Sequence, residues 1–183
     1  MKAPSWGKAM GIVMICLGAL SIIMQFYKIS LRGFARIQSN VMDGFGDIPI
    51  GDKPNPFGSI MKNMFYMSET QGNIIMIIGF LGVGLAIFYL IGGVKLLQAK
   101  KKNYIMARNS VIVFLAYNLI SVVWLSMNSE SFYLSAMLTY TGIGVAFDIT
   151  VLIILLSSDK SAYGIGEPTV SVENESVDDF DVL

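Results

Sequence analysis

Four stretches of the chain stay apolar long enough to cross a hydrocarbon layer about 30 Å thick, which takes ~20 residues of helix. They fall at about 9–27, 73–97, 104–127 and 133–157. Inside a bilayer no water reaches the backbone amides, so each run must satisfy its own hydrogen bonds as a helix, despite its many β-branched residues. The expected fold is all-α: a polytopic membrane protein with four transmembrane helices bundled within residues 1–157.

The segment between the first two runs, 28–72, is too long for a plain connector. Ile29, Phe34, Ile37, Val41 and Phe45 recur at near-helical spacing, and Phe57, Ile60, Met61, Met64 and Phe65 do so again. Between the two sets, Gly44, Gly46, Pro49, Gly51, Pro54 and Pro56 break the chain. This pattern predicts two short amphipathic helices in the first extracytoplasmic loop, lying on the membrane surface or capping the bundle. A surface for docking a partner is the sharper alternative. After Leu156 the chain turns polar, so 158–183 is expected to be a disordered acidic cytoplasmic tail.

Composition supports a bilayer setting. Apolar residues make up 54% and charged ones 14% of the 183 residues, too apolar a mixture for a soluble domain of this size. Net charge is zero, but the signs are segregated: 158–183 holds seven acids and one lysine. Lys100, Lys101 and Lys102, flanked by Lys95 and Arg108, sit between the second and third runs, and Lys2 and Lys8 precede the first. Basic residues resist translocation, which puts that side and both termini in the cytoplasm, against the weaker opposing pull of Lys28, Arg32 and Arg36. The first run is expected to be retained, because bulky Ile22 to Phe26 offers no signal-peptidase site. A bacterial inner membrane or a plasma membrane is the expected location.

The same composition removes several kinds of chemistry. There is no histidine, and Cys16 is the single cysteine, so imidazole catalysis, histidine ligation, CxxC sites and intrachain disulfides are all excluded. No concentrated basic surface suggests nucleic acid. Twelve scattered methionines read as flexible packing rather than a soft-metal site, and no cofactor is expected.

Asp148 remains the most informative residue, because a charge near the middle of a transmembrane helix costs at least ~2.5 kcal/mol on insertion scales. Counting ~1.5 Å per residue from the same end places Asn118 within about 6 Å of its depth. Asn118, Tyr117, Tyr140 and Thr141 are candidate hydrogen-bond partners, and Arg108 is a candidate ion-pair partner. This set reads either as structural glue between helices, as a proton or cation pathway, or as a contact with a charged residue of another subunit. Gly142 and Ala146 form a small-xxx-small pair that permits close helix approach. Phe180, Val182 and Leu183 form a candidate docking terminus for a partner's sheet edge. Lys100 to Lys102 suit anionic lipid headgroups as well as topology.

The four-span layout resembles that of tetraspan proteins such as claudins, but their paired cysteines and first-loop tryptophan motif are missing. Through Pro4 to Lys8 before an apolar helix and Gly92 to Leu97 closing another, the chain is also similar to small four-helix bacterial membrane proteins. The function expected from the residues is that of a non-enzymatic accessory or scaffold subunit, bound to other membrane subunits and to lipid. The alternative is an oligomeric channel or transporter using Asp148.

Overall fold

A computed structural model describes residues 3–46, 60, 64–128 and 131–165. The described residues form four long helices and no strand: α1 (Ser5–Gly46), α2 (Glu69–Leu96), α3 (Lys101–Met127) and α4 (Phe132–Ser157). Each is long and apolar enough to cross a membrane. The links after α2 and α3 are only a few residues long, which leaves successive helices antiparallel.

Local chemistry sets where the helices begin. Ser68 and Gln71 form a reciprocal cap at the start of α2: the Ser68 hydroxyl accepts from the Gln71 amide at 3.2 Å, and the Gln71 side chain accepts from the Ser68 amide at 3.0 Å. Glu69 in the first turn and Lys95 in the last both complement the helix dipole.

The largest difference from the sequence expectation concerns α1. The helix does not stop near residue 27 but runs 42 residues to Gly46, about 63 Å at 1.5 Å per residue. The first of the two expected loop helices is therefore the far half of α1. No proline interrupts the chain until Pro49, and the charges are accommodated: Arg32 and Arg36 both reach Glu69 Oε1, at 2.8 and 3.1 Å. The face that packs inward is Leu31 and Ala35, while Phe34, Ile37 and Val41 are exposed. The side chain of Phe45 lies outside the described residues. Of the second stripe, Ile60, Met64 and Phe65 are helical, and Phe57 and Met61 lie outside the described residues. Phe65 packs against Phe132 and Tyr133, with ring centroids 5.7 and 5.6 Å away.

Packing is uneven around the bundle. α1 lies along α2 over most of their shared length, α2 along α3 and α3 along α4, but α1 and α4 scarcely touch. The α1–α2 contact is backbone-close: a Cβ added at Gly93 would come within 2.9 Å of the Gly11 carbonyl oxygen. One core cluster, including Met14, Tyr89, Leu96, Phe114 and Leu155, fills the end of the bundle near Trp6. A second, of Leu31, Ile75, Leu125, Leu134 and Met137, fills the end near Glu69.

The chain after α4 also departs from expectation. Residues 158–165 do not leave the bundle; they turn back beneath it through a short 3-10 helix, Ser161–Tyr163, closed by Gly164 at φ 68°. Tyr163 is buried and donates to the Leu96 carbonyl at 2.8 Å, Tyr104 donates to the Leu155 carbonyl at 2.6 Å, and the Trp6 indole donates to the Asp159 carbonyl at 3.0 Å. Hydrogen bonds from the Ser161 amide and hydroxyl hold the Asp159 carboxyl below its ordinary range. Residues 166–183, with Phe180, Val182 and Leu183, lie outside the described residues.

Candidate functional site: a polar cleft between the first and last helices

Because α1 and α4 do not close on one another, a cleft of about 210 Å³ opens between them, with α3 as its floor. Most of its wall is apolar, from Leu17, Leu20 and Met24 on α1, Phe114 on α3, and Ile143 and Phe147 on α4. Polar side chains interrupt that wall, among them Gln25, Lys28, Asn118 and Asp148. All four are buried.

Asp148 sits toward one end. Asn118 on α3 donates to its Oδ2 at 2.8 Å, so the two residues matched in depth by counting are joined. Tyr89 on α2, fully buried, lies close enough to interact with the same carboxylate, though outside hydrogen-bond geometry. Tyr89 also packs on Phe114, with ring centroids 5.1 Å apart. The carboxylate thus has protein neighbours from two other helices, which is the arrangement that makes a buried acid tolerable.

Gln25 and Tyr117 make a second polar knot. The Tyr117 hydroxyl lies 2.9 Å from both Gln25 Oε1 on α1 and the Ile78 carbonyl on α2, sharing one proton between them. Gly82 makes room for this knot, since a Cβ there would collide with both the Gln25 amide and the Tyr117 hydroxyl. Three helices are tied at one level.

Lys28 is the exception. Its side chain is 4% exposed, and its ammonium lies 5.6 Å from the centroid of the Tyr117 ring, within cation–π reach. No carboxylate stands within 4.0 Å of it and no hydrogen bond holds it among the described residues. Helical side chains lean toward the helix N-terminus, which carries the Lys28 head away from the Arg32–Glu69 end and into the cleft.

The other sequence candidates are dispersed. Arg108 contacts the neighbouring Asn109 side chain at 3.3 and 3.4 Å and stands ten residues before Asn118 on α3, remote from Asp148. Thr141 donates back to the Met137 carbonyl of its own helix at 2.8 Å. Tyr140 lines the cleft mouth and is largely exposed. Gln25, Lys28 and Tyr89 were missed by sequence reading. Lys28 and Gln25 carried a usable signal, since both fall on the α1 face that holds Leu31 and Ala35, but only once the helix is known to continue.

No group of three or more acidic or cysteine side chains placed to hold a metal ion is found among the described residues. No family model, no curated protein and no solved structure matches the chain.

Proposed function

We propose that this chain is a non-enzymatic accessory subunit of a larger membrane assembly, and that α4 carries its contact with a transmembrane helix of a different protein. The observation that supports this reading is that α4 packs chiefly on α3 and is the least buried of the four spans. Some glycines inside the other helices sit at crossings, as at Gly93 against Gly11 and at Gly82 against Gln25, whereas a Cβ added at Gly142, as at Gly84, would meet nothing within 4 Å. Gly142 and Ala146, one turn apart on the exposed side of α4, leave a shallow face onto which a second helix can pack closely. The N-terminus of α1 and the Lys100–Lys102 turn lie at one end of the bundle, and we place that end in the cytoplasm.

Extraction from native membranes in mild detergent, followed by native-gel separation and mass spectrometry, tests the proposal. The expected result is a stoichiometric complex with another membrane protein that is lost in Gly142→Leu. Migration as a lone chain, or a complex containing only copies of this chain, overturns it. A channel or transporter using Asp148 has the cleft position of that carboxylate in its favour, but the Asn118 bond and the Lys28 charge in the same cleft weigh against a cation path. Abolished flux in Asp148→Asn liposomes would reverse that ranking.

A further inference from the structure

We propose that the α1–α4 cleft binds an amphipathic anion, with its carboxylate or phosphate on Lys28 and its hydrocarbon chain along the apolar wall toward Leu17. A lysine that is 4% exposed and opens into an apolar cleft, with no carboxylate or hydrogen-bond partner among the described residues, is a cation with little around it to offset its charge. The Tyr117 ring face compensates it only in part, because a ring quadrupole replaces neither hydration nor a counter-ion. An oxyanion entering the cleft supplies what is missing.

The rest of the cleft fixes which way round the ligand lies. Lys28 and Leu17 are 11 residues apart on α1, about 16 Å, a length suited to an extended chain. Asp148 lies toward the far end, no ion pair joins it to Lys28 among the described residues, and its charge repels an anionic head from that end. Gly144 lines the wall and has open space beside it, with nothing within 4 Å of the position a Cβ would take. Because the gap lies between two helices that scarcely meet, it is reached sideways from the hydrocarbon layer, the phase in which such a ligand is concentrated. This site is distinct from the Gly142–Ala146 face and does not depend on any partner there.

The full-length chain in non-ionic detergent, examined by native mass spectrometry, provides the test. The probes are hexadecanoate, hexadecanol, phosphatidylglycerol and phosphatidylcholine. The wild type is expected to bind an anionic probe at least about tenfold more tightly than the neutral or zwitterionic probe with the same chain, the scale of one charge-assisted contact. Hexadecanoate as the preferred probe identifies a free single-chain acid, and phosphatidylglycerol a bilayer lipid; either supports the site. Lys28→Met should erase the preference, Lys28→Arg should keep it, and Gly144→Leu should block the chain while leaving Lys28 in place. Equal binding of anionic and neutral probes overturns the proposal, as does a preference that survives both Lys28→Met and Gly144→Leu. Should Lys28→Met fail to fold, checked by circular dichroism, Gly144→Leu decides alone.

Discussion

Asn118 on α3 donates a 2.8 Å hydrogen bond to Oδ2 of Asp148 on α4, and both residues are buried. α4 has few other attachments, so this bond joins the helix to the bundle at a point where packing is thin. Interhelical hydrogen bonds in membranes average about 0.6 kcal/mol, because the unfolded chain in the bilayer also finds partners. A charged acceptor raises that figure, and we expect Asn118→Leu to destabilise the fold by about 1–2 kcal/mol. In a double-mutant cycle with Asp148→Leu, the paired change should cost clearly less than the sum of the single ones. SDS-titrated unfolding in mixed micelles measures it, and strict additivity would show that the bond contributes nothing.

A second prediction separates glycines that are used from those that are not. A Cβ at Gly93 would sit 2.8 Å from Met14 Cβ, 2.9 Å from the Gly11 carbonyl oxygen and 3.0 Å from the Ile15 amide nitrogen. Two of these are backbone atoms, which cannot swing aside. Gly93→Ala must therefore push α1 and α2 apart, at a cost of roughly 1–3 kcal/mol as for other overpacked sites. Gly84, on the same helix, has nothing within 4 Å, so Gly84→Ala should be neutral or slightly stabilising. Thermal unfolding in detergent of the two variants side by side makes the comparison, and similar losses in both would contradict this account of the α1–α2 contact.

These contrasts show where the sequence was informative. Spans follow from composition over ~20 residues, so four helices were legible, and Asp148 stood out because any ionised group at that depth is anomalous. Asn118 was found by counting residues from a shared end. What failed was the assumption that α1 ends with its apolar run. Lys28, Arg32 and Arg36 look like topology signals when read singly, whereas the unbroken helix through Gly46 makes Lys28 a cleft residue and Arg32 a partner of Glu69. Tyr163 was illegible for a different reason. It sits in a polar stretch whose composition argues for disorder, and only the carbonyl of Leu96, distant in sequence, gives it a place.

Alkaline pH should loosen the turn beneath the bundle. Burial raises the Tyr163 hydroxyl above the ordinary tyrosine value, with nearby Tyr104 adding to the shift. The neutral form is therefore favoured by folding. The stabilisation is complete below the unfolded value near ~10 and is lost as pH rises through the higher folded value. Trp6, whose ring centroid is 5.7 Å from that of Tyr163, reports on the turn by fluorescence in a Trp124→Phe background. The wild type should show an alkaline transition, and Tyr163→Phe, which keeps the ring but not the bond to Leu96, should lose it. An unchanged transition in Tyr163→Phe would assign it to another group.

The two faces of α4 make opposite demands on neighbouring substitutions, which allows the partner contact and the cleft to be tested apart. Gly142 faces outward and Gly144 lines the cleft, and neither has an atom within 4 Å of its added Cβ, so a side chain can leave the backbone at either position without striking a neighbour. Each should leave the isolated bundle as stable as before or firmer, since glycine in a helix interior is unfavourable by about 1 kcal/mol relative to alanine. Stability is thus removed as an explanation for any loss. Gly142→Leu is then expected to release the partner and keep binding the anionic probe, because a bulky side chain on the shallow face holds a second helix away. Gly144→Leu is expected to do the reverse, filling the space a chain would take while leaving the outer face smooth. If both variants lose both properties, the two faces form one site, and partner and amphiphile compete for it.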